Sequence, residues 1–399
     1  MSVGMKTYAY LLPDGQPATY SDRWRWRWSL SVLLPLLPVL AIGLTEASGH
    51  SAWLWMPLGV MYLVIPALDW LIGEDRSNPP EAVVPELERE PFYRWLTYAA
   101  VPIHLGVLVG GFWYAMARAE GPVEVLPLVL SLGFVGALAI NVGHELGHKR
   151  SEPERTLALV ALSITGYGHF RIEHNLGHHA QVATPEDSAS ARMGESVYRF
   201  VRREVPGALS RSWRLEAARL RREGHGAFSL HNEILQGLAM TLAVQAALVA
   251  WLGWKALPWL LLHNLWGWWQ LTGVNYIEHY GLLRRKRPDG SYERVLPRHS
   301  WNSNHLVSNV LLFHLQRHSD HHAHAERHFQ SLRHCGEAPQ LPTGYMGMLL
   351  LSFFPRLYFR VMDPRLLAQA DGNLERINLE PRVRGRLERR YATGVSSPK

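Results

Sequence analysis

Four histidine clusters carry the chemistry available to this chain of 399 residues. The richest reads Leu315-Gln316-Arg317-His318-Ser319-Asp320-His321-His322-Ala323-His324. On a helix, His318, His321 and His322 fall at i, i+3 and i+4, so three imidazoles share one face. Neutral imidazole is the commonest side-chain metal ligand and suits iron, zinc and copper. A histidine-rich run can also lie solvated or bind metal adventitiously. Three upstream clusters with matching spacing argue against that here.

The first of these, His144-Glu145-Leu146-Gly147-His148, places two histidines at i, i+4 with a glutamate between them. It is the His-Glu-x-x-His signature of zinc proteases, in which Glu145 would be the general base. The second, Glu173-His174-Asn175-Leu176-Gly177-His178-His179, offers i, i+4 and i+5, and the third, Asn275-Tyr276-Ile277-Glu278-His279-Tyr280-Gly281, adds one more imidazole. The candidate ligands are thus His144, His148, His174, His178, His179, His279, His318, His321 and His322. One zinc takes three or four ligands, so nine are a surplus for one metal and suit two. All-nitrogen ligation with positions left for oxygen suits iron. The lone cysteine, Cys335, excludes a disulfide and a Cys-x-x-Cys site.

Acidic neighbours form the next layer. Glu145, Glu173 and Glu278 each adjoin a candidate ligand, and Asp320 lies inside the triplet. Adjacent helical residues point about 100° apart. The expected task of these acids is therefore to orient imidazoles through the second ring N–H rather than to bind metal. The plainer reading is a surface carboxylate. His104 and His263 fall inside apolar runs, where an ionisable group is a functional candidate. A packed, hydrogen-bonded histidine fits them equally well. His314 and His324 flank the triplet and are expected to support it without ligating.

The elements that must hold these clusters are apolar. Runs at about 27–45, 52–73, 94–117, 122–143, 234–253 and 256–275 each approach the ~20 residues that cross a bilayer. Clusters one and three close two of these runs, which puts the site at a membrane surface within reach of a hydrophobic substrate. The net charge of +7 and pI near 9.5 could suggest nucleic acid. The basic residues alternate with the apolar runs instead, as in loops flanking membrane spans, and 16 Trp fit interfacial belts. A nucleic-acid partner is therefore not expected. Segment 149–233 holds 13 Lys and Arg, whereas the candidate outer loops hold only Arg118 and Lys255. Both termini and the large loop are accordingly expected in the cytoplasm. The mean hydropathy of −0.09 implies a large polar part beside the spans.

The expected organisation is a polar N-terminal segment 1–22, four spans in 23–143, a loop 144–233 with clusters one and two, and two spans in 234–275. Residues 276–392 carry clusters three and four, and 393–399 form a flexible tail. Residues 77–91 read as an irregular link. Met61 and Tyr62, in the second span, are bulky candidates for limiting the length of a bound chain, although lipid-facing packing is the plainer reading.

The four motifs together resemble those of the bacterial membrane alkane 1-monooxygenases. His-Glu-Leu-Gly-His (144–148), Glu-His-Asn-Leu-Gly-His-His (173–179) and the run at 315–323 alone would indicate the broader histidine-motif diiron superfamily of desaturases, hydroxylases and oxygenases. The His-Tyr-Gly element at 279–281 and Gln-Arg-His-Ser-Asp-His-His at 316–322 are more specific. The likeness runs from the first span to Asp363-Pro364. It implies an all-α membrane protein: six transmembrane helices and a cytoplasmic histidine-rich cap holding two irons on the nine histidines. It also implies O2-dependent hydroxylation of medium-chain n-alkanes at the terminal carbon, in the inner membrane of a bacterium. Rubredoxin, with rubredoxin reductase upstream, is the implied electron donor. One cysteine cannot build a rubredoxin centre, so the donor is expected to be a separate protein or a module beyond Lys399. The basic surface would suit an acidic donor, which predicts turnover that falls with added salt. Rival readings are a diiron fatty-acyl desaturase or hydroxylase, a xylene-type monooxygenase, an intramembrane zinc protease built on cluster one, and a metal transporter or sensor.

Overall fold

The computed structural model describes residues 5–392. The tail expected at 393–399 lies outside them. Among the described residues, five helical segments are long and apolar enough to cross a membrane: α1 (Arg25–Ser48), α2 (Ser51–Ile72), α3 (Pro91–Ala117), α4 (Pro122–Gly147) and, later in the chain, Glu233–Leu252. Prolines punctuate the first two. Pro35 and Pro38 begin successive short helical stretches in α1, and a π turn at Val60–Val64 precedes Pro66 in α2, since a proline removes one helical N–H donor.

The spans are not equivalent. In α4, 72% of the apolar window is buried inside the protein, against 22% in α2 and in Glu233–Leu252. So α4 is an internal helix, and the other two turn most of their apolar surface outward. After α4 come α5 (Glu152–Ser163), capped by Ser151, and α6 (Val197–Arg222). Next are α7, the Glu233–Leu252 span, capped by Asn232, and α8 (Ala256–His279).

The sixth expected span falls on α8. Its 24 residues are enough to cross a bilayer, but it carries His263, Asn264, Gln270 and Asn275 and is not among the five apolar helices. Those polar side chains are tolerable because α8 is enclosed against α4. A methyl group at Gly133 would come within 2.9 Å of the His263 carbonyl oxygen, and one at Gly267 within 3.1 Å of the Gly133 oxygen. Small residues let the two backbones touch, as in membrane helix pairs.

The remainder of the chain covers the ends of α4 and α8. It includes α9 (Leu306–Leu311), the six-residue α10 (His318–Ala323), α11 (Tyr345–Ser352), α12 (Pro355–Gln369) and α13 (Arg384–Ala392). An apolar core joins Phe134 and Leu138 of α4 to Tyr276, Tyr280, Trp301, Tyr345 and Tyr358 around this region.

Two departures from the expected layout are clear. The polar segment 1–22, expected as a plain lead-in to an all-α chain, contains an antiparallel hairpin, β1 (Lys6–Leu11) and β2 (Pro17–Asp22), with Lys6 opposite Asp22. Its Pro13-Asp14-Gly15 turn suits the reversal, Gly15 taking φ +82°. Tyr8 is buried beside Trp28, Tyr93 and Phe329, and Asp22 accepts a hydrogen bond from Tyr93. The link at 77–91 also contains a short helix, Val84–Arg89. The chain is therefore predominantly, not wholly, helical.

Candidate metal centre

Helix ends and tight turns bring the nine histidines together. His144 sits in the last turn of α4 and His148 just past it. One ring nitrogen from each of His144, His148, His174 and His321 lies within 4.8 Å of the others, and His178, His279, His318 and His322 form a second such group. In the first, the Nε2 atoms of His144 and His321 are 3.0 Å apart. In the second, His318 Nε2 is 2.9 Å from that of His322 and 3.1 Å from that of His279. The ninth, His179, stands between them. Its Nε2 lies 3.0 Å from that of His174 and 3.1 Å from that of His321, and its ring centre is 4.4 Å from that of His322.

Local backbone explains this division. Glu173–His178 is a π-helical turn, closed by the His179 N–H bonded to the His174 carbonyl. An i→i+5 turn sets His179 against His174 edge to face, with ring centres 4.6 Å apart, where an α-helix would have set His178 there. His178 is thereby released to the second group. In α10 the i, i+3, i+4 face forms as expected, but it divides: His321 joins the first group, His318 and His322 the second.

Converging nitrogens of this kind fit cations rather than one another. A neutral imidazole has one N–H to give and one lone pair, so His179 Nε2 cannot satisfy two Nε2 neighbours by hydrogen bonds alone. The Nε2 atoms of His148 and His178 are buried with no hydrogen-bond partner. Metal–nitrogen bonds of about 2.1 Å put adjacent octahedral ligands about 3.0 Å apart, close to the spacings found. Burial, reinforced by neighbouring histidines, holds His174, His179, His318, His321 and His322 well below the ordinary histidine pKa, in the neutral form that can bind a metal.

The carboxylates are placed less simply than their positions in the chain suggest. Glu145 receives Lys149 at 2.9 Å and the Phe329 N–H at 3.3 Å. A glutamate so engaged is poorly placed as the free base of a zinc protease. Glu173 pairs with Arg211. Asp320 receives Arg327 at 3.1 Å and the Arg333 N–H at 3.0 Å, and so anchors the loop that follows α10. Glu278 reaches the centre directly, with Oε2 3.3 Å from His318 Nε2.

A carboxylate outside the motifs meets the far ring nitrogen of His178. Asp187 Oδ2 lies 2.9 Å from His178 Nδ1, and Asp187 also receives Ser190 at 2.7 Å and Arg211 at 2.8 Å. Burial would raise its pKa, but the adjoining His178 ring and Arg211 hold it far below the usual carboxylate range. Arg211 thus ties Glu173 and Asp187 together behind the histidines. No spacing rule marks Asp187, because it sits in an irregular loop nine positions after His178.

His279, of the second group, faces the His299 carbonyl with Nδ1 at 3.4 Å. Among the other histidines, His314 gives its Nδ1 hydrogen to the Phe329 carbonyl at 2.8 Å. His104 contacts the Ala100 carbonyl through Nδ1 at 2.6 Å, and His263 contacts Asn264 at 3.0 Å. None of these joins the two groups. An apolar cavity abuts the centre, walled by Phe134, Leu138, Leu271, Val274 and Leu349 together with His144, His174, His318 and Glu278. Met61 and Tyr62 lie outside this lining. Tyr62 backs it from behind: it donates to Gln270 Oε1 at 2.6 Å and packs edge-on against Phe134, with ring centres 5.8 Å apart.

The family model described as fatty acid desaturase matches residues 120–351. Alkane 1-monooxygenase 1 of Alcanivorax borkumensis is 49% identical over 386 residues, 96% of each chain. The alkane 1-monooxygenase of Pseudomonas putida is 47% identical over 95% of this chain and 94% of its own. That of Ectopseudomonas oleovorans is 48% identical over 94% and 93%. With paired histidine groups at the buried ends of α4 and α8 and near-full-length identity close to one half, the chain is an integral membrane protein of the alkane 1-monooxygenase family.

Proposed function

We propose that this protein is a membrane-bound non-heme diiron monooxygenase that converts medium-chain n-alkanes to 1-alkanols. Each turnover takes one O2, two electrons and two protons, places one oxygen atom in the product and releases the other as water. The observation that carries this reading is the apolar cavity whose wall includes histidines of both groups. In this proposal His144, His148, His174, His178, His179, His279, His318, His321 and His322 hold two irons, which supply the oxygen-activating chemistry when bound.

The chain's own contribution is shape and dryness. An alkane has no polar handle, so only the walls of the cavity can choose which carbon reacts. Phe134, Leu138, Leu271, Val274 and Leu349 admit a chain end-first and exclude water. Asp187 fixes the His178 ring, and Glu278 stands against His318 at the cavity wall.

The same proposal makes α8 a sixth span and puts the histidine-bearing cap in the cytoplasm of a bacterial inner membrane, on the basis of the Lys and Arg distribution. The family implies an electron-transfer partner. We assign that role to rubredoxin, reduced by its reductase, since Cys335 alone cannot build such a centre. Leu176, 50% exposed between ligands of the π turn, and the exposed Ala323 beside His322 offer a short path from the surface.

The test combines metal content and regiochemistry in detergent-purified protein. The wild type should carry about two irons per chain and yield 1-alkanol with rubredoxin and its reductase, and His318→Ala should lose iron and nearly all turnover. Full iron and full activity in His318→Ala would refute the ligand set, and zinc without iron would refute the chemistry.

A further inference from the structure

A second charged feature lies outside the histidine site. A cleft between the start of α6 and the C-terminal segment is walled by Arg192, Arg199, Arg202, Arg203, Arg382 and Arg386, with Glu195 and Glu380 as its only acids. Glu195 is occupied by Arg203 at 2.9 and 2.8 Å, and Glu380 stands 3.6 and 3.7 Å from Arg192 and Arg199. Arg202, Arg382 and Arg386 are exposed and make no ion pair among the described residues. Gly194, Glu195 and Ser196 also line it, so the N-terminus of the 26-residue α6 opens into it. Guanidinium groups and helix N–H groups both favour an oxyanion with several acceptor oxygens.

The cleft is built, not floppy. Asp363 accepts from Tyr280 at 2.8 Å and from Tyr391 of α13 at 2.9 Å, and the Tyr280 hydroxyl also receives the Gly194 N–H at 2.9 Å. Gly194 takes φ +84°, and a methyl group there would approach Val383 to 2.9 Å.

Its location narrows the ligand. The Tyr198 hydroxyl donates to the Phe353 carbonyl at 2.9 Å, and its ring lies 5.4 Å from that of Trp269. Phe353 in turn packs 5.8 Å from Tyr62 of the α2 span. The start of α6 is therefore moored to membrane-level side chains. Beside it Tyr198, Phe354 and Leu357 are 45%, 58% and 48% exposed, and Phe359, two residues past Leu357 on α12, enters the cleft wall. Unpaired cations run into an uncovered aromatic and aliphatic band. A soluble acidic partner would leave that band bare, whereas a lipid covers both parts.

We propose that this cleft binds the phosphate headgroup of an anionic phospholipid of the surrounding bilayer, with its acyl chains against Phe354 and Leu357. Juxtamembrane arginine clusters bind acidic lipid by this combination of charge and apolar contact. The test is native mass spectrometry of protein released from nanodiscs of phosphatidylcholine and phosphatidylglycerol in equal amounts. The wild type should retain phosphatidylglycerol in preference to phosphatidylcholine. The triple variant Arg202→Ala/Arg382→Ala/Arg386→Ala should retain about tenfold less, and a control of equal charge, Arg221→Ala/Arg222→Ala/Arg287→Ala, should match the wild type. Unchanged iron content in both variants serves as the folding check. The proposal would be overturned by equal retention of the two lipids, by equal loss in the control, or by displacement of the lipid by millimolar inorganic phosphate as readily as by phosphatidylglycerol. Unaltered lipid retention in the triple variant, with a raised KM for the protein electron donor, would reassign the cleft to protein docking.

Discussion

Asp187 shows what single residues contribute beyond the motifs. Its carboxylate fixes one ring through Nδ1 and is itself fixed by Ser190 and Arg211. Asp187→Asn preserves the shape but removes the charge that orients His178, and such changes beside metal ligands cost about 10–100-fold in metal affinity or activity. Iron remaining after dialysis against graded chelator should fall accordingly in this variant. Glu204 is a second unadvertised acid, bonded to Thr272 at 2.9 Å and Asn275 at 3.3 Å. Burial, then the nearby Glu173 carboxylate, pushes it up to about 8 from 4.5. Between those values the folded chain keeps a proton that the unfolded chain has released, so stability falls as pH rises through the window. Glu204→Gln should remove that slope and melt higher than the wild type near pH 8, as thermal scans in detergent would show. The nine histidines could be nominated from spacing because helical spacing is short-range. Asp187 and Glu204 could not, because their partners are distant in the chain or sit in loops without periodicity.

At the scale of elements, the apolar runs were readable for the same reason that the spans cross lipid: length and composition suffice. The π turn at Glu173–His178 was not. A sequence of the form His-x-x-x-His-His fits α and π geometry alike, and the backbone alone decides whether His178 or His179 meets His174 Nε2 to Nε2. The β1–β2 hairpin is hard to read because Tyr8, Tyr10 and Tyr20 alternate with small residues, Thr7, Ala9, Thr19 and Ser21, in a segment that looks hydrophilic on average. The α4–α8 contact depends on glycines that no periodicity singles out. Gly133→Val would drive a side chain into the His263 carbonyl, at a cost typical of overpacking, about 1–3 kcal/mol. Because His144 and His279 end these two helices, the variant should lose iron as well as thermal stability, read by elemental analysis and melting of the same preparation.

For the whole molecule, the orientation proposed from charge can be tested against the folded chain. With Cys335→Ser as background, the chain has no native thiol. Glu120→Cys, between α3 and α4, should react with a membrane-impermeant maleimide in intact spheroplasts. Ser210→Cys, exposed on α6, should react only after lysis. The reverse pattern would invert the protein in the membrane. The short helix α10 has a consequence at this scale too. Six residues deliver His321 to one group and His318 and His322 to the other, so in the proposed two-iron centre neither metal could leave without loosening the other's mooring. Loading should therefore be concerted: a cell short of iron would hold a mixture of fully charged and empty enzyme, with few chains stranded half-filled.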